Sequence, residues 1–96
     1  MNNINFDPID LTQALVRCPS VTPADNGALD IVENHLTHLS FRCTRLPFSE
    51  TNYDNVDNLF ATIGSTGKHL AFAGHTDVVP PGNESSWKYP PFSAMI

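Results

Sequence analysis

The sequence predicts an α/β fold, two helices followed by three strands, and three features of the 96-residue chain carry that expectation. Two apolar stripes recur at helical spacing near the N-terminus, each opened by a capping residue and a proline. From Phe41 the helical period is lost and strand-like segments follow. The run His69–Val79 is apolar on both faces in its first half, as an inner strand of a helix-covered sheet should be. The order helix, helix, strand, strand, strand suits one α/β layer, and 96 residues suffice for one small domain but not two.

The first helix starts at Asp7. An aspartate there caps the helix and Pro8 suits its first position. Leu11, Ala14, Leu15 and Cys18 form its apolar stripe, and Pro19 ends it. The second helix is expected to open within 20–25, with Thr22 as cap, Pro23 in the first turn and Asp25 as the capping-box acid. Leu29, Val32, Leu36 and Leu39 then line one face, and Asp30, Glu33, Asn34 and Thr37 lie on the opposite, solvated one. Phe41, Cys43 and Leu46–Phe48 read as a strand that Pro47 ends or places at an edge. Residues 50–58 are polar and read as a loop, Leu59–Ile63 as a short strand, and residues 64–68 as a hairpin turn into the third strand.

Composition narrows the function classes. Hydrophobic residues make up 41% and charged residues 16%, a globular balance. The net charge of -5 argues against nucleic acid or an anionic membrane surface as partner, since both select clustered Lys and Arg. There is no long apolar run to span a membrane, and residues 1–5 carry neither a basic n-region nor an apolar h-region. A cytoplasmic location is therefore expected. Cys18 and Cys43 are read as reduced and structural, without a disulfide. His35 and His38 are read as surface residues of the second helix, and His69 as lying away from any site. No G-x-S-x-G elbow supports a serine nucleophile, and Gly64, Gly67 and Lys68 fit neither phosphate-binding loop motif.

The chemistry concentrates where the third strand turns polar, at His75-Thr76-Asp77. Ligand sites of open α/β sheets gather at such carboxyl ends. Residues i and i+2 of a strand share a face, so the Asp77 carboxylate can accept a hydrogen bond from one ring nitrogen of His75 and leave the other for a metal. Gly74 clears space beside the histidine, and Pro80-Pro81-Gly82 stops the strand. Spacing alone favours a structural histidine over a metal ligand, because H-x-D is a weak motif and one imidazole cannot hold a zinc ion.

The run Leu70–Gly82, followed by Trp87 and Pro90-Pro91-Phe92, closely resembles the first metal motif of the M20 family of di-zinc amidohydrolases. Leu11–Arg17, Pro19-Ser20 and Pro23 resemble that family's N-terminal helix pair. The resemblance implies that residues 1–96 are the N-terminal part of a zinc-exopeptidase-like catalytic domain, truncated before the remaining metal ligands, the general base and a dimerising lid domain. It implies that His75 binds one of two zinc ions, with cobalt as a possible substitute, and that Asp77 is an active-site residue orienting it. The activity implied is metal-dependent hydrolysis of an amide in a small-molecule substrate by a homodimer. Pro81-Gly82 and the W-x-x-P-P-F tail favour N-succinyl-LL-2,6-diaminopimelate as that substrate, on the route to lysine and diaminopimelate. Acetylornithine deacetylase or aminoacylase activity, and a non-catalytic module, remain alternatives. A sheet cut after three strands is expected to leave exposed edges and an inactive chain.

Overall fold

The computed structural model describes residues 4–96, so residues 1–3, part of the stretch that lacks the n-region and h-region of a leader, lie outside the described residues. Helix α1 spans Pro8–Val16. The Asp7 carboxylate accepts from the Ile9 N–H at 2.8 Å, and Pro8 occupies the first turn. Leu11, Ala14, Leu15 and Cys18 are each half-buried, whereas Thr12 and Val16 between them are exposed, so the expected stripe faces inward.

Helix α2 spans Ala28–His38. It begins later than its proline suggested, and Thr22 is not its cap. Asn26 and Gly27 adopt left-handed backbone angles, with φ of 49° and 90°, and a right-handed helix cannot run through them. The Asp25 carboxylate takes the capping role, accepting from the N–H groups of Gly27 and Leu29, each at 3.1 Å. The N–H of Thr22 points elsewhere, to the carbonyl of Val78 at 3.0 Å.

Strand β1 (Arg42–Arg45) pairs antiparallel with β2 (Leu59–Thr62), with Arg42 opposite Thr62 and Arg45 opposite Leu59. Pro47 has no N–H to give, and past it the ladder continues only as a bridge between Phe48 and Val56. Helix α2 packs on both strands. That contact revises the reading of its polar face. Arg45 of β1 meets Glu33 at 2.8 Å and Asp57 at 2.6 Å, and it also pairs with Asp30. Two acids assigned to solvent are thus partners of one guanidinium. Burial works to lower the Arg45 pKa, but the hydrogen bonds it donates to Asp57, Glu33 and Asp30 outweigh it and hold the pKa above its ordinary value.

The third strand is the main correction. Among the described residues the sheet has two strands, and within 69–79 the backbone pairing is confined to a parallel bridge between Val21 and Val78. A strand exists through its ladder, and residues 69–77 find no neighbouring strand to bond. Leu70 and Phe72 consequently stand 83% and 92% exposed, although their pattern is that of an interior strand. Gly64 and Gly67 do turn the chain, with φ of 82° and 86°, but no hairpin closes across them. Burial is correspondingly sparse: among the described residues Ala28 is the buried apolar residue and Ser20 the buried polar one.

Candidate functional site

His75 and Asp77 meet. The His75 Nδ1 lies 3.0 Å from Asp77 Oδ1 and 3.0 Å from the Asp77 carbonyl oxygen. Both partners are acceptors, so Nδ1 carries the proton and donates to them. The lone pair then resides on Nε2, the tautomer in which an imidazole can bind a metal through that nitrogen. The His75 side chain is 83% exposed, so Nε2 is open to a ligand. The expectation that this polar triplet ends a buried strand does not hold, because the segment carrying it has no sheet around it.

A short stretch, residues 20–22, holds the segment in place through a bridge at Val21. The Val78 N–H donates to the Ser20 carbonyl at 3.0 Å, and the Ser20 hydroxyl donates to the Thr76 carbonyl at 2.7 Å. Ser20 is 3% exposed, and although Pro19-Ser20 belongs to the stretch that carries the family resemblance, the sequence gives it no role at the site. Downstream, the Trp87 indole N–H donates to the Pro81 carbonyl at 3.0 Å and ties back the loop that leaves the site. Leu15, Cys18, Trp87 and Phe92 line a largely apolar cleft of about 560 Å³ that His75 also lines. Trp87 and Phe92 thus pack the loop while facing the same space as the histidine.

The remaining histidines stay away. His35 Nδ1 faces the Ile31 carbonyl at 2.9 Å and Nε2 faces the Asn5 carbonyl at 3.0 Å, with Phe6 edge-on to its ring. His35 is therefore half-buried and fastens the N-terminal segment, more than a surface residue does. His38 Nδ1 faces the Asn34 carbonyl of its own helix. Among the described residues no three His, Cys, Asp or Glu side chains gather as a metal-holding group. Cys18 and Cys43 are free thiols. Burial pushes the Cys18 thiol pKa up, and the negative charges of Asp25 and Asp30 add to the rise, the opposite of an activated nucleophile.

The donor set of the site is thus one imidazole, correctly tautomeric, with the carboxylate that orients it. That fits one ligand of a zinc ion and its supporting hydrogen bond, since a catalytic zinc takes three protein ligands. Comparison with known proteins adds the relationship. Over 90 residues, 94% of its length, the chain is 54% identical to a succinyl-diaminopimelate desuccinylase of Rhodospirillum centenum. It is 53% identical to the enzymes of that name from Bradyrhizobium diazoefficiens and Nitrobacter hamburgensis over the same share.

The chain matches the succinyl-diaminopimelate desuccinylases.

It spans 23% of the length of each of these desuccinylases. No family model matches it. A 90-residue alignment within 96 residues necessarily takes in both His75 and Asp77. Among the described residues, no helix is long and apolar enough to cross a membrane.

Proposed function

We propose that residues 1–96 form the first part of the catalytic domain of a metal-dependent amide hydrolase acting on N-succinyl-LL-2,6-diaminopimelate, with succinate and LL-2,6-diaminopimelate as products. The observation that carries this reading is the identity of 52–54% with four desuccinylases across 94% of the chain. In this reading His75 contributes Nε2 as one zinc ligand. Asp77 fixes the ring through Nδ1 and keeps the lone pair on the outward nitrogen. Zinc, or cobalt in its place, would supply Lewis acidity toward the scissile amide carbonyl. The other ligands and the general base belong to residues beyond the donor set described above. Action in the cytoplasm as a homodimer is part of the same reading and rests on the family resemblance.

The test is a chimera. Residues 7–90 of this chain replace their counterparts in the Rhodospirillum centenum desuccinylase, and succinate release is measured beside metal content. The expected result is retained hydrolysis of the N-succinyl substrate, abolished by His75→Ala. A chimera that prefers N-acetylornithine would move the assignment to the deacetylases. A folded, metal-loaded chimera that hydrolyses neither substrate would overturn it.

A further inference from the structure

We propose that Ser20 is a positioning residue that sets the tautomer of His75 by clamping both peptide planes that flank Asp77. This deepens the metal-ligand reading of His75 and rests on it for its functional meaning, but the geometry stands by itself.

The backbone of Asp77 is bounded by two peptide units. The one before it carries the Thr76 carbonyl, and the one after it carries the Val78 N–H. Ser20 holds both. Its hydroxyl donates to the Thr76 carbonyl at 2.7 Å, and its own carbonyl accepts from the Val78 N–H at 3.0 Å. With both planes held, φ and ψ of Asp77 have little freedom, because these two torsions are all that relates one plane to the next. The Asp77 carbonyl lies in the second of those planes, directed opposite the Val78 N–H. That same carbonyl is one of the two acceptors facing His75 Nδ1, at 3.0 Å. The direction in which it points is therefore set by Ser20, and it favours a proton on Nδ1 over one on Nε2. The Thr22 N–H, bonded to the Val78 carbonyl at 3.0 Å, extends the clamp by one more residue.

The contrast in exposure supports the assignment. The His75 and Asp77 side chains are 83% and 50% exposed, and side chains so placed are not held by packing. Ser20 is 3% exposed, so its hydroxyl bond is shielded from competing water. Order at the exposed pair is thus supplied from a buried residue. Ser20 makes its hydrogen bonds to the backbone on either side of Asp77 and acts on the imidazole through that residue.

The experiment is nitrogen NMR of the His75 ring in the 96-residue chain, without metal, at neutral pH. The ring-nitrogen shifts report which nitrogen is protonated. The unsubstituted chain is expected to show His75 with the proton on Nδ1. Ser20→Ala should move the shifts toward the mixed values of a free imidazole, by about a tenfold loss of tautomer preference for one hydrogen bond removed. Ser20→Thr, which keeps the hydroxyl, should restore them. Asp7→Ala, which weakens the cap of α1 and leaves the clamp intact, should lower stability without moving the His75 shifts. Should Ser20→Ala unfold the chain, the comparison passes to Ser20→Cys, whose weaker donor should give intermediate shifts. Unchanged shifts in Ser20→Ala or Ser20→Cys, or equal movement in Asp7→Ala, would overturn the proposal. The readout uses neither metal nor substrate, so its failure is separate from failure of the hydrolase assignment.

Discussion

The stretch from α2 through β2 is held by groups it carries itself, whereas the stretch bearing His75 is held from outside. In the first, Ala28 is buried, two strands share a ladder, and Arg45 joins acids from α2 and from the approach to β2. In the second, Leu70, Phe72 and Val79 are exposed, and the backbone is fastened by residues 20–22 alone among the described neighbours. A hairpin packed on a helix closes most of its hydrogen bonds within some 35 residues of chain. An apolar strand meant for the interior of a sheet cannot do so, because its partners must come from other strands. The lesson is that chemical pairing and structural support are separable. His75 and Asp77 pair through Nδ1, as the proposed ligand role requires, even though residues 69–77 pair with no neighbouring strand.

The sharpest way to test that separation is at the site. In the desuccinylase chimera, His75→Ala should cost about a hundredfold or more in activity together with metal, as expected for a lost ligand. Asp77→Ala should cost about 10–100-fold with a smaller loss of metal, because it supports the ligand without being one. Neither should change the thermal midpoint of the isolated chain appreciably. Equal metal loss in the two variants would make Asp77 a ligand and end the division of roles.

The isolated chain should not keep a stoichiometric zinc ion through dialysis. One imidazole and its partner carboxylate fall short of the three protein ligands that a stable site needs. One tightly held zinc per chain, found by elemental analysis, would show donors that the described arrangement does not bring together.

On the other side of the comparison, Arg45→Met should lower the urea midpoint by the equivalent of about 1–2 kcal/mol, since it strands three carboxylates near one another. Asp30, 78% exposed, should contribute least of the three. High salt should narrow the gap between variant and parent. The His75 ring shifts should stay where they were. If they move with Arg45→Met, the two regions are coupled and not independently held.

The smallest effect expected is at Cys18. Its folded-state pKa is raised above the unfolded value, first by burial and then by Asp25 and Asp30. The folded chain therefore resists losing that proton. The associated stability is fully present below the ordinary thiol range and is lost as pH rises through the elevated folded value. Alkylation in mildly alkaline buffer should accordingly be slower at Cys18 than at Cys43, and the two rates should converge in urea. Equal rates in the folded chain would show that α1 does not shield the thiol.

Much of this molecule is legible along the chain. Asp7 and Pro8 announce α1, the half-buried stripe of Leu11, Ala14, Leu15 and Cys18 follows helical spacing, and β2 falls within the segment read for it. The H-x-D pairing is legible for the same reason, since the partners are two residues apart. The late start of α2 was hidden because left-handed Asn26 and Gly27 outweigh a cap-and-proline signal whose residues are used elsewhere. The acids around Arg45 looked solvated because their partner sits on another element, 12 and 15 positions away.

Features written by neighbours in sequence, such as caps, stripes and the histidine–aspartate pair, needed nothing beyond the order of the residues, because the interacting groups lie within about one helical turn or one strand repeat of each other. Whether residues 69–79 become a strand, and that Ser20 would close on Thr76 from 56 positions away, depended on which backbone groups meet across the folded chain. A hydrogen bond between distant residues leaves no periodic trace in either of them, so only the three-dimensional arrangement reveals it.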